Sequence, residues 1–204
     1  MKNIRFGFPI AALCLTMSLF LAQTSYGSST IKMNLGQLAE RSGRIFAGRC
    51  ISATESTMPA PGGGKLAYTE YTFAVSQSIK GGVGSTVSVK QFGASKPDYV
   101  RGRSFVMAGM PQYKVGEEYV LLLTKESSLG LTAPVGLAQG SFKIFTDRSG
   151  QKKVVNGANN AGLFIGIKSE KTAGLSAGDA QLMTQKQGPV QYDSFVSLLQ
   201  KMAR

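Results

Sequence analysis

The chain has 204 residues, 23 Lys/Arg against 11 Asp/Glu, two cysteines, and neither histidine nor tryptophan. Without imidazole, and with so few thiols, the usual zinc ligand sets cannot be assembled. Ser-His-Asp and Cys-His nucleophile systems are excluded for the same reason, and no pattern points to a cofactor.

Lys2 and Arg5 precede an apolar stretch from Ile10 to Ala22. As a helix that stretch spans roughly 20 Å, short of the ~30 Å hydrocarbon core. A positive start followed by a short apolar run reads as a signal peptide rather than a membrane anchor. Ser25-Tyr26-Gly27 supplies the small residues of a cleavage site, so the expected cut follows Gly27. Cys14 lacks the lipidation pattern: Leu13 stands where a small residue is required, and the apolar run continues past it.

Removal of residues 1–27 leaves 177 residues with a net charge of +10, enough for one domain with its own core. Glycine makes up 25 of the 204 residues, above the typical share of about 7%. With few helical repeats, this favours strands joined by turns. Only Cys50 survives processing, so no intramolecular disulfide can form. A buried unpaired thiol is expected, with intermolecular pairing as the other reading.

After a leader over 28–34, residues 35–41 read as one or two helical turns, with Leu35, Leu38 and Ala39 on one face and Gly43 as the stop. Residues 44–53 read as a strand in which Gly48 marks a bulge or a close backbone approach. Residues 58–64 (MPAPGGG) are a loop by composition. Tyr68 to Ile79 is the clearest strand, with Tyr71, Phe73, Val75 and Ile79 set against Thr72, Ala74, Ser76 and Ser78. Residues 85–92 follow as a hairpin-like partner, with Val87 and Val89 inward.

Residues 93–111 form a long Gly-rich loop, a functional or mobile segment or a plain connection. The run EYVLLLT over 118–124 fits a central strand. Residues 131–137 and 140–145 are two more short strands, and 151–155 an edge strand after the turn Asp147–Gly150. Residues 156–188 should be irregular. Asp193 or Ser194 should cap a final helix over 195–203 whose stripe is Phe195, Leu198, Leu199 and Met202.

The expected fold is therefore mainly β: a small OB-like barrel or sandwich with a short N-terminal helix and a C-terminal helix. Its parts are a signal peptide (1–27), a β-barrel-like domain (28–155), an irregular connection (156–192) and a C-terminal helix (193–204).

Four phrases occur in order: LAERSGRIFAGRC (38–50), YTFAVSQSIKG (71–81), GMPQYKVGEEYVLLL (109–123) and GLAQGSFKI (136–144). Together they resemble a group of uncharacterised exported bacterial β-domain proteins with V-x-x-x-x-K-G and G-L-x-Q-G-x-F blocks, over about residues 35–155. The strand-then-KG layout is also similar to netrin-like, OB-fold inhibitor barrels. Inhibitors of that type reach a catalytic zinc with an N-terminal cysteine. Here the expected N-terminus is Ser28 and Cys50 lies well inside the chain, so the resemblance does not imply that mechanism.

Three readings of function stand. The leading one is an exported, non-enzymatic binding or accessory domain in the periplasm or at the cell surface, meeting an envelope or secreted protein through the 93–111 loop and exposed strand edges. The second is an electrostatic binder of anionic polymer or a membrane surface, with Lys96, Arg101, Arg103, Lys152 and Lys153 as the anion-binding candidates. Nucleic acid is the least expected ligand, although Tyr71 and Phe73 could form a stacking strip. The third is an enzyme using a Ser-Lys or carboxylate site. Glu117 and Glu118 are adjacent, however, and on a strand they would point to opposite faces. No transmembrane anchor is expected in the mature chain.

Overall fold

The structure is a computed structural model that describes residues 31–95, 106–167 and 176–204. The expected signal peptide and part of the 93–111 loop, residues 96–105, lie outside the described residues.

Its strands are β1 (Arg44–Pro59), β2 (Lys65–Lys80), β3 (Thr86–Phe92), β4 (Glu118–Leu123), β5 (Ser141–Thr146), β6 (Lys152–Asn156) and β7 (Val190–Gln191). They form one antiparallel sheet in the order β3-β2-β1-β4-β5-β6-β7. The helices are α1 (Leu35–Arg41), α2 (Ala177–Met183) and α3 (Tyr192–Met202). The fold is mainly β with a short leading helix and a closing helix, as the residue pattern predicts. The sheet is not closed into a barrel. It ends at β3 on one side and β7 on the other.

Local chemistry explains the elements. Asn34 and Gln37 cap α1 reciprocally, each side chain accepting from the other's backbone N–H. The buried residues of α1 are the expected Leu35, Leu38 and Ala39, and its C-cap is Ser42. Gly48 is where β1 and β2 approach most closely, because a Cβ there would stand 2.6 Å from the Ala74 carbonyl oxygen. The β1–β2 register shifts between Ala47 and Gly48, so the expected irregularity is present. It also shifts between Ile45 and Phe46 and between Cys50 and Ser52.

Both faces of the sheet centre are buried. On one face Ile45, Ala47, Val120, Leu122, Phe142, Ile144 and Val154 pack under α1 and α3, which contribute Leu35, Leu38, Phe195, Leu198 and Leu199. Phe142 and Phe195 meet with ring centroids 4.7 Å apart. On the other face Phe46, Cys50, Tyr71, Phe73, Val89, Tyr113, Tyr119, Leu121 and Leu123 make a second, aromatic core. The segment after β4 is tied back to the sheet. Thr132 donates its N–H to the Lys90 carbonyl and Val135 to the Leu122 carbonyl, both at 2.8 Å, which lays this segment along β3 and β4.

Several expectations change. Residues 131–137 are not a strand but two isolated bridges followed by a 3-10 turn, Leu137–Gln139. Pro134 and Val135 are buried although the segment is a loop, which periodicity cannot distinguish from a strand. β6 is not an edge, because β7 pairs with it through Lys153↔Gln191 and Val154↔Val190. Ile79 packs against the helix-side cluster while Tyr71 and Phe73 enter the aromatic one. β1 runs six residues past Ala53 to Pro59.

The 156–188 region contains α2, and its first turn is organised by side chains. Asn156 Oδ1 accepts from the N–H groups of Ala158 and Asn160, and Asn160 Nδ2 donates to the carbonyls of Val154 and Gly188. α3 starts at Tyr192, with Gln191 as N-cap and no side-chain cap bond, so neither Asp193 nor Ser194 caps it. It shares a core with the sheet.

Ser176 and Asp179 form a capping box on α2, and Asp179 is buried and paired with Lys201 of α3 at 2.6 Å. Burial alone would raise its carboxyl. The Lys201 ammonium and the Ser176 bonds outweigh burial and hold it below the ordinary value. Stability from this pair is complete above the unfolded aspartate value of about 3.9 and is lost as pH falls through the depressed folded value. Asp179→Asn should therefore flatten the decline of the urea midpoint between about pH 5 and pH 2. An unchanged decline would contradict the pairing. Phe195→Ala should cost about 3–5 kcal/mol at unchanged urea m-value. A loss under about 1 kcal/mol would mean that the helix-side core is not packed as described.

Candidate binding surface

β1 has two halves. From Arg44 to Arg49 it is hydrogen-bonded on both sides, to β2 and to β4. The Cys50 N–H still donates to the Glu117 carbonyl. From Ser52 to Pro59, among the described strands, it pairs only with β2. This half, the facing part of β2 and β3 form an arm that narrows to two strands at Thr57–Pro59 and Lys65–Ala67, with its tip at Ala60–Gly64, where Gly62, Gly63 and Gly64 all take positive φ. Ser95 donates its N–H and hydroxyl to Glu55 on the arm.

Cross-strand partners share a face. On the outer face of the arm this rule groups Met58 with Leu66, and Tyr68 with Phe92 of β3. All four are half-buried. The Lys90 ammonium lies 5.8 Å from the Tyr68 ring centroid. The inner face carries Tyr71 and the buried Thr69, whose hydroxyl donates to the Gly93 carbonyl. Tyr71 and Phe73 are themselves buried, so they form no stacking strip for bases.

Of the candidate anion-binding residues, the described Lys152 and Lys153 do not converge. Lys152 and Lys153 belong to β6 and turn to different carboxylates. Lys152 lies 3.2 Å from Glu118 and over the Tyr192 ring, and Lys153 lies 3.8 Å from Asp147. Lys96, Arg101 and Arg103 lie outside the described residues. Glu117 and Glu118 also separate. Glu117 accepts from Tyr119 and Lys143, which hold its carboxyl below the ordinary value, whereas Glu118 accepts from Arg49 and Lys152. Tyr119 is two residues from Glu117, but the cations come from β1, β5 and β6, so sequence spacing alone could not assign them.

The aromatic core holds groups that periodicity missed. Tyr113 sits edge-to-face with Tyr71, Phe73 and Tyr119, at centroid distances of 4.8, 5.4 and 5.0 Å. Its hydroxyl and Gln91 Oε1 are buried without a hydrogen-bond partner. Burial drives the Tyr113 phenol far above its ordinary value. Tyr113 and Tyr119 lie within the GMPQYKVGEEYVLLL phrase, which is the one sequence signal that marked them.

A cleft of about 330 Å³ lies elsewhere, between α1 and the end of α3, with Asn34, Gln37, Glu40, Lys80 and Arg204 on its wall. Lys80 Nζ is engaged there by the Ala39 carbonyl at 2.8 Å. Among the described residues there is no group of three or more His, Cys, Asp or Glu placed to hold a metal, and no helix long and apolar enough to cross a membrane. Comparison with protein-family models and with curated protein sequences finds no match.

Cys50 is buried and unpaired, with Sγ 3.4 Å from the Ser52 carbonyl. Burial pushes its thiol up, so little thiolate forms. A thiol reagent at neutral pH should label it at the rate of unfolding and at once in urea. Immediate labelling of the native protein would contradict its placement.

Proposed function

We propose that this chain is an exported, non-enzymatic binding domain that meets a protein partner in the periplasm or at the cell surface. The arm is the observation that carries the reading. A two-stranded ribbon is marginal by itself in water, yet here β1 and β2 run on as two strands past the last β3 pair, Tyr68↔Phe92, to Pro59 and Lys65. Its outer face offers Met58, Leu66 and Tyr68 at partial exposure, the kind of apolar and aromatic anchor that dominates protein interfaces. Export rests on the N-terminal sequence. The non-enzymatic reading rests on the absence of imidazole and on the carboxylates Glu117 and Glu118 being held by separate cations.

The exported form, used as bait in an envelope extract, should retain a protein at high salt. Met58→Asp with Leu66→Asp should abolish that retention, because both side chains are half-exposed and the sheet behind them is unchanged. Equal retention by the variant would remove the arm from the interface. Retention of anionic polymer alone, lost as salt rises, would favour the electrostatic reading. Hydrolysis of generic ester, peptide or glycoside substrates would overturn the non-enzymatic one.

A further inference from the structure

A second surface lies where β4 begins. A turn closed by the Glu117 N–H to Lys114 carbonyl bond carries Val115, 61% exposed. The β1 ladder runs past this turn. Gly116 donates to the Cys50 carbonyl at 2.8 Å, and Cys50 donates to the Glu117 carbonyl at 2.9 Å. The next residue, Ile51, is left out of the β1–β2 register between Cys50 and Ser52 and is 47% exposed. Two branched aliphatic side chains thus stand in water where β4 begins beside β1.

Four cations lie near the start of β4, Lys143 on the aromatic face and Arg49 and Lys152 on the helix face. Lys114 is exposed on the turn itself. Arg49 donates to the Gly116 carbonyl at 2.8 Å and pairs with Glu118. Lys152 pairs with the same Glu118, and Lys143 with Glu117. Two carboxylates facing four cations leave two positive charges over. The ion pairs hold Arg49, Lys143 and Lys152 near the start of β4.

We propose that this turn docks on an anionic lipid surface, with Val115 and Ile51 entering the headgroup region while the cations face its phosphates. A hydrated polysaccharide or nucleic-acid backbone attracts the charges but gives the aliphatic side chains nothing to leave water for. An anionic leaflet supplies both terms. The inference goes beyond the protein-partner reading and does not rest on the arm.

The absence of tryptophan gives a direct test. Val115→Trp puts a single reporter on the turn, and Ile165→Trp puts one at a comparably exposed position beside α1. The exported form would be mixed with vesicles of phosphatidylglycerol and phosphatidylcholine, or of phosphatidylcholine alone. The Val115→Trp emission should shift to the blue on the anionic vesicles at low salt and recover at high salt, while Ile165→Trp stays unshifted. In sedimentation, Lys114→Gln should weaken binding about fivefold, and Val115→Asp should weaken it further. Failure to sediment, sedimentation with an unshifted Val115→Trp, or binding to dextran sulfate as strong as to vesicles and indifferent to Val115→Asp would each overturn the proposal.

Discussion

The structure depends on the double burial of β1. Between Arg44 and Cys50 this strand has a hydrogen-bonded neighbour on each edge and a core on each face. Alternation along a strand sends successive side chains to opposite sides. Ile45 and Ala47 therefore support the helices, and Phe46 supports the aromatic cluster. β4 repeats the division, with Val120 and Leu122 on the helix side and Tyr119, Leu121 and Leu123 on the other. A shift of one residue in either strand would exchange the two cores. Gly48 holds the register, because any side chain there would collide with the β2 backbone.

The two faces solve different problems. On the helix side, α1 and α3 cover aliphatic residues, and α2 is held to α3 by the buried Asp179–Lys201 pair. On the other side no helix among the described residues joins the cluster, and Tyr113 comes to it from the segment before β4. Tyrosine carries a large apolar ring and a polar end, and here the Tyr113 hydroxyl and Gln91 Oε1 remain unpaired. This face is therefore the costlier one to bury. β1 then runs past β4 along β2 into the arm, so one element supplies both the framework and the proposed interface.

Legibility in the sequence followed the source of order. The Tyr68–Ile79 strand was readable because the buried Tyr71 and Phe73 alternate with more exposed residues, although the alternation breaks before Ile79, which turns to the helix side. The run EYVLLL read as a central strand because both of its faces are buried. The segment 131–137 misled because burial by a loop leaves the same apolar trace as a strand. α2 was hidden: Ala177-Gly178 are weak signals, and its stability comes from a capping box and from Lys201, 22 residues away. The arm was hidden too, since Ser52–Pro59 carries no apolar alternation. The carboxylate partners of Lys152 and Lys153, Glu118 and Asp147, are a matter of tertiary structure alone.

Hydrogen exchange on the native protein, read amide by amide along β1, tests the division of this strand most directly. Amides from Ile45 to Cys50 that lie in the ladders should exchange only through global unfolding, whereas those from Ser52 to Met58 should exchange through a smaller local opening. Equal protection along the whole strand would contradict a β1 that is half framework and half arm.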